Sequence, residues 1–474
     1  MNKTTDTSGL LRVGAFRVLC LLLVVAVSGC KQKVEEADSE EQSKAVAAQP
    51  VKTIFDMEEF SIFDCEEPLK TRLQMGQPTS ECGDQPSDKV KAYPVFKSAK
   101  PIYGTVRFGM NLFDYASGIE FCFAIDESGG TGTVYDSFHF DVNHDFDLTN
   151  DPVSALMKDP PSGARVNEGR RQDTFFEQLQ VALDYGPDKG KWQQTVMPRL
   201  MRFDERKYVY FIVPTARRGK IVLGSQEADA VLAQSPVITG RYDQPMTGVF
   251  LGEKSESLPF LGCWHCVDGT FYILSPTPTG DKVTVRPYDG AFGVFDVGPG
   301  DRDADVAKLE LGWLQSRDTI IDIDKCPKTG GKPKVPVGDY RPFRLAIRFG
   351  QLRVGLAANI SQPGKEPAKP PVFGIKIREG QPFVLDFSGK PEVVFKSPAA
   401  NQRFKLGEEL KAEAIIYDPV MDTLIAALED TTKKEGSINL PDGTKYERYQ
   451  SLDPTIEITN SSGDRVAQGK MPFG

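Results

Sequence analysis

Leu179-Gln180-Val181-Ala182-Leu183-Asp184-Tyr185 sets apolar side chains at 179, 181, 183 and 185, with Gln180, Ala182 and Asp184 between them. Successive side chains of an extended chain point to opposite faces, so this period of two predicts a strand with one buried face. A helix would instead gather its apolar residues at spacings of three and four. The same short period recurs in Ile102–Met110, Ile119–Ile125, Val134–Val142 and Lys207–Val213, each run closed by Gly, Pro or Asp. Further along, Thr270–Leu274, Lys282–Arg286, Gly293–Val297, Leu309–Trp313, Arg344–Phe349, Gly374–Ile377 and Phe383–Phe387 read the same way. Gly298-Pro299-Gly300 and Gly338-Asp339-Tyr340 supply turns, and the Pro- and Lys-rich run Pro363–Pro371 reads as an exposed loop.

Regularly spaced strands with few helical stretches predict a mainly β chain of sandwich- or barrel-like domains with few short helices. One short helix is expected at Gln226–Ala233. A second, inserted helix is expected where Val420, Met421, Leu424, Ile425 and Leu428 fall at helical spacing. Shifts in composition divide the body into blocks 53–254, 255–391 and 392–474.

The last block opens with Ser397-Pro398-Ala399-Ala400 and Phe404-Lys405-Leu406-Gly407-Glu408-Glu409, followed by alternating Leu410, Ala412, Ala414 and Ile416. These residues resemble the opening strands of bacterial immunoglobulin-like modules, and the resemblance implies an immunoglobulin-like sandwich over 392–474. Ile456-Glu457-Ile458 and Arg465-Val466-Ala467, joined across Asn460-Ser461-Ser462-Gly463-Asp464, read as a hairpin. A sandwich of that type needs further strands to cover its open edge, so the polypeptide is expected to continue past Gly474.

At the other end, Lys3, Arg12 and Arg17 precede the apolar run Val18–Val27, which is too short for a membrane-spanning helix and has the form of an export signal over 1–29. Val27-Ser28-Gly29-Cys30 resembles the lipobox of bacterial lipoproteins. That resemblance implies cleavage before Cys30, lipid on its thiol and a chain held at a membrane of the cell envelope. Lys31 stands where an aspartate can act as an inner-membrane retention signal, which favours the outer membrane. Residues 31–52 are rich in Glu, Lys, Gln, Ser and Ala, and as a disordered tether they would reach about 25 Å from the lipid.

The net charge is −9 and no basic cluster interrupts it, which argues against nucleic acid as a partner. Of eight cysteines, Cys20 leaves with the leader and Cys30 carries lipid. Cys65, Cys82, Cys122, Cys263, Cys266 and Cys326 remain for disulfides in an oxidising compartment, with a Cys65–Cys82 bridge expected. Cys263-Trp264-His265-Cys266 is a CxxC open to three readings: structural disulfides or buried thiols, a metal site completed by His265 or Cys326, or thiol exchange.

Asp141-Val142-Asn143-His144-Asp145-Phe146-Asp147-Leu148-Thr149-Asn150-Asp151 carries oxygen side chains at alternate positions, the donor pattern a hard cation such as calcium requires of a tight loop. The stretch resembles dockerin and EF-hand loops at Asp141, Asn143, Asp145 and Leu148. It departs from them at Phe146, in the glycine's place, and at Pro152, where the closing acid belongs, with Asp151 one residue early. The candidate calcium ligands are Asp141, Asn143, Asp145, Asp147 and Asp151; the other reading is an acidic, solvated loop. Asp301-Arg302-Asp303-Ala304-Asp305 and Asp322-Ile323-Asp324 have fewer donors and read as turns.

No Gly-x-Ser-x-Gly elbow, phosphate loop, dinucleotide fingerprint or HExxH is present, and there are only three histidines. The body is similar to uncharacterised β-rich lipoproteins of planctomycete-type bacteria in Gly338-Asp339-Tyr340-Arg341-Pro342, in Phe383-Val384-Leu385-Asp386-Phe387 and in the terminal module, a resemblance that brings no activity. The expected function is a non-catalytic binding or structural protein of the cell envelope, with an envelope polysaccharide or protein as partner. The alternative is a secreted polysaccharide hydrolase working through paired carboxylates.

Overall fold

Two sheets meet over a core made largely of phenylalanine. The first takes Glu81–Gly83, Ile102–Phe108, Ile119–Asp126, Ser137–Phe140 and Val153–Ala155 in that order. The second takes Leu179–Asp184, Lys191–Phe203, Arg206–Ile212 and Gln77–Pro78, with Arg171–Phe175 also paired to Lys191–Phe203. Phe108, Phe121, Phe123, Phe138 and Phe140 from the first sheet bury against Leu179, Val181, Leu183, Val196, Leu200, Val209 and Phe211 from the second. The period of two in Leu179–Asp184 is observed: Leu179, Val181 and Leu183 are buried, while Gln180 and Asp184 are exposed. Interdigitating inner faces of this kind make a β-sandwich.

The computed structural model describes residues 53–79, 81–110, 118–131, 134–164, 171–203, 206–252, 260–298, 307–358, 373–385, 391–397, 403, 412–418, 423–439, 445–459 and 462–473. The leader, Cys30, the tether, Pro363–Pro371, Asp301–Asp305, Phe404–Glu409 and Val420-Met421 lie outside the described residues. Within them the chain is mainly β, with mostly antiparallel sheets. Helix is confined to the turn Ile62–Asp64 and the short segment Leu69–Leu73.

A second pair of sheets packs Met57, Ile221, Leu223, Leu232 and Val249 against Leu274, Val283 and Val285. Gly219 allows close approach here, because a Cβ at that position would fall 2.5 Å from the Asp56 carbonyl oxygen. The sheets do not stop at the borders read from composition. Thr53–Asp56 pairs with Lys282–Pro287, so the start of the body completes a sheet of the second block. Thr423–Asn439 pairs with Leu352–Ala358, so the strands after 391 extend a nine-stranded sheet that begins before it. Thr455–Thr459 and Arg465–Lys470 form the expected hairpin.

Both expected helices are strands. Gln226–Ala233 pairs along its length with Thr215–Leu223, and the turn between them has only Gly224 and Ser225, with Gly224 at φ 65°. A two-residue turn with glycine in the left-handed region selects a hairpin, and the cross-strand ladder then overrides local helical preference. In Thr423–Asn439, Leu424 faces Ala357, Ile425 faces Leu356 and Ala427 faces Gly355, with a register shift between Gly355 and Leu356. That bulge inserts Ala426 as an extra residue, so Leu424, Ile425 and Leu428 acquire a helix-like spacing inside a strand.

The expected Cys65–Cys82 bridge is not formed. No disulfide is formed among the described residues: Cys65 packs against the cluster containing Ile62 and Phe63, and Cys82 lies in the strand Glu81–Gly83 opposite Gly104.

Candidate metal centre

The strand Ser137–Phe140 delivers the chain from the Phe-rich core directly into Asp141, which is fully buried, and the partner strand Val153–Ala155 begins just after Asp151. The intervening loop is built by carboxylates accepting from backbone N–H groups, the usual work of Asp and Asn in turns. Asp141 accepts from the N–H of Asp145 (3.0 Å to Oδ1) and of Phe146 (3.1 Å to Oδ2). Asn143 Oδ1 also accepts from Asp145 N–H, at 2.9 Å, and Asp145 Oδ1 accepts from Asp147 N–H, at 2.9 Å.

Phe146 occupies the position of the expected glycine, yet it adopts φ 64°, the conformation glycine would supply, and His144 sits at φ 60°. Left-handed backbone at a bulky residue costs on the order of 1 kcal/mol and persists only where its surroundings enforce it. The surroundings here are specific. Phe146 C=O accepts from Lys91 N–H at 2.7 Å, Lys91 Nζ donates to Asp145 C=O at 2.7 Å, and Leu148 N–H donates to Ala92 C=O at 3.0 Å. Leu148 is buried, and its backbone bond to Ala92 holds this end of the loop in place. Lys91 and Ala92 were not legible as site residues, because their contribution is backbone pairing across more than fifty positions.

Of the five candidate ligands, the fold brings Asp141, Asp145 and Asp151 together, each offering a carboxylate oxygen within 4.8 Å of the others. Asn143 and Asp147 serve the turn instead. Asn143 Nδ2 donates to Asn150, and Asp147 Oδ1 accepts from Thr149 N–H and its hydroxyl. Burial holds the Asp141 carboxyl above the usual range. Burial, with the neighbouring Asp141 charge, pushes Asp151 up to about 6. Asp145 is held low, chiefly by the hydrogen bond from the Asn150 side chain, at 2.8 Å.

The Asp151 Oδ2 atom is buried with no hydrogen-bond partner. An unsatisfied buried oxygen beside two further carboxylates is costly without a positive charge, and an all-oxygen set fits a hard divalent cation better than a transition metal. Asp141, Asp145 and Asp151 would hold such an ion.

The sign of the pH response follows. The folded, metal-free chain holds a proton on Asp151 that the unfolded chain releases, so this group's contribution to stability falls as pH rises from about 4 to about 6. A cation competes with that proton. Calcium affinity is therefore expected to be about tenfold weaker near pH 5 than near pH 7, with no further gain above it. Isothermal titration at the two pH values checks this, and equal affinities would remove Asp151 from the ligand set.

The other sequence candidates do not converge in this way. Cys263 joins an apolar cluster with Val237, Met246, Trp313 and Ile320, whereas Cys266 packs against the cluster containing Phe271 and Cys326. The two CxxC thiols are not paired with each other, although both residues border one cavity with Trp264, His265 and Asp322. Asp322 and Asp324 lie next to this region, both carboxyls raised by burial, Asp324 to about 6 with the Asp322 charge adding to the effect. No protein-family model, curated protein or solved structure matches the chain.

Proposed function

We propose that this chain is an exported lipoprotein, acylated on Cys30 and held in the cell envelope, that acts as a non-catalytic binding or structural protein with calcium as the resident cation of the Asp141–Asp151 loop. The observation that carries the calcium reading is the convergence of Asp141, Asp145 and Asp151 around a buried, unpartnered carboxylate oxygen. Calcium would offset two of the three carboxylate charges and hold the turn against Lys91 and Ala92. Extracytoplasmic modules bind calcium with dissociation constants of about 10⁻⁴–10⁻³ M, and a surface loop with only three carboxylate ligands belongs in that range.

The anchor reading rests on Val27-Ser28-Gly29-Cys30 after a short apolar run. Among the described residues no helix is long and apolar enough to cross a membrane. Two or three acyl chains on one cysteine give membrane attachment that a single chain does not sustain. Cys30→Ser is expected to move the protein from the membrane fraction to the soluble fraction of the producing cell, with the wild-type chain labelled by radioactive fatty acid and the variant unlabelled. A variant that stays with the membrane, or a wild type without label, would refute the anchor.

A further inference from the structure

We infer that Cys266 and Cys326 are a thiol pair that closes into a disulfide, tying the strand His265–Val267 to the turn that follows the strand Ile320–Asp322. The juxtaposition begins at the backbone. Cys263 and Ile320 form a parallel β-bridge, with Ile320 N–H donating to Gly262 C=O at 2.8 Å and Trp264 N–H to Ile320 C=O at 3.2 Å, so the strand His265–Val267 and the strand Ile320–Asp322 start from the same point. At its end the second strand folds back. Cys326 N–H donates to Ile323 C=O at 3.3 Å, and its thiol to Asp322 C=O at 3.5 Å. This turn returns Cys326 toward the position Cys266 has reached.

The side chains agree with the backbone. Cys326 is buried in an apolar cluster with Phe271, Ile321 and Ile323, and Cys266 packs against that same cluster, directly across the ladder from Phe271. The thiols are near enough that a charge on Cys266 would raise Cys326 further. Among the described residues the other cysteines lie elsewhere: Cys263 belongs to a separate cluster, Cys122 lies in the strand Ile119–Asp126 and Cys82 in the strand Glu81–Gly83 of the Phe-rich sandwich, and Cys65 packs against the cluster containing Ile62 and Phe63.

Access differs between the two in the order that exchange needs. Cys266 is half-buried and reachable, whereas Cys326 is only 4% exposed. With a small-molecule disulfide as oxidant, Cys266 as thiolate attacks one sulfur, the S–S bond breaks and one thiol leaves. Cys326 as thiolate then attacks the Cys266 sulfur of the mixed disulfide and expels the second thiol. The protein loses two electrons and two protons, and the oxidant gains them as two thiols. Burial holds both protein thiols above their usual range, so closure is slow at neutral pH and faster as pH rises. The bond would close a loop of about sixty residues, a length at which constraint of the unfolded chain is substantial.

The test uses the purified mature chain, incubated with oxidised glutathione, denatured, alkylated and mapped by mass spectrometry. The expected result is a linked peptide pair containing Cys266 and Cys326, lighter by two hydrogens than the separate thiols, with a melting temperature raised by roughly 5 °C and both effects reversed by dithiothreitol. Cys266→Ser and Cys326→Ser should each abolish the link and the shift, and Cys82→Ser should keep them. Recovery of Cys266 and Cys326 both alkylated after oxidation, or of Cys266 linked to another cysteine, would overturn the pairing. The peptide map of the wild type decides this even where a variant folds poorly.

Discussion

Phe211→Ala is expected to destabilise the chain by about 3–5 kcal/mol, the range for deleting a buried aromatic ring whose cavity cannot collapse. The site gives little room for relaxation. Phe211 is fully buried, and its ring meets Phe140 at 5.3 Å, Phe108 at 5.4 Å, Phe138 at 5.8 Å and Phe123 at 6.0 Å between centroids. Those four rings come from three strands of the facing sheet, so one truncation removes packing from both layers at once. Phe211→Leu should recover much of the loss, because it restores apolar volume without the edge-to-face contacts. Chemical denaturation of the three proteins measures the series. A loss below about 1 kcal/mol for the alanine variant would mean that the two sheets do not share this core.

Asp141→Asn is expected to abolish the stabilisation that calcium gives, while costing the metal-free chain no more than about 1 kcal/mol for the turn hydrogen bond it loses. Asp141 is fully buried, accepts from two backbone N–H groups and stands beside Asp145 and Asp151. Asparagine keeps one of the two acceptor oxygens the turn uses, replaces the other with an amide NH2, and removes one of three negative charges. Without metal that relieves repulsion and lets the Asp151 carboxyl fall back toward its ordinary range. With metal it takes away a buried anionic ligand. At a free calcium concentration a hundred times the dissociation constant, the wild type should gain about 2.7 kcal/mol, and the variant none. Thermal melts with calcium and with chelator separate the two: equal gains would place the ion elsewhere, and a variant that unfolds in chelator would make Asp141 a purely structural cap.

How much of this was legible in the sequence depends on whether the deciding interaction is local. Leu179–Asp184 announced its strand because a half-buried strand writes its own period, and Ile119–Asp126 kept a sequence alternation at Ile119, Phe121, Phe123 and Ile125 although both of its faces are buried. Gln226–Ala233 did not. Its burial is confined to one end, and what makes it a strand is the two-residue turn at Gly224-Ser225 with a ladder to Thr215–Leu223. The bulge at Ala426 misled in the same direction by another route, since one extra residue turns alternation into an apparent helical stripe. Borders between blocks were hidden for the same reason: nothing local in Thr53–Asp56 reports that its partner is Lys282–Pro287.

The cation loop was visible as a donor pattern, and Asp141, Asp145 and Asp151 do converge. The division of labour within the pattern was not visible. Asp141, Asn143, Asp145 and Asp147 all accept from loop N–H groups, and which of them also reaches the shared centre depends on backbone direction, which brings Asp141 and Asp145 to Asp151 and leaves Asn143 and Asp147 to the turn. Phe146 looked like a fault in the motif because glycine is the residue that reaches φ 64° without strain. The fold holds Phe146 there through Lys91, which the sequence around the loop does not announce.

The most direct measurement is calcium titrated calorimetrically into the purified mature chain near neutral pH, beside Asp151→Asn. The account predicts a single site with a dissociation constant of about 10⁻⁴–10⁻³ M, weaker binding of magnesium, and no binding in the variant. Absence of binding heat in the wild type, together with identical melting temperatures in calcium and in chelator, would contradict it.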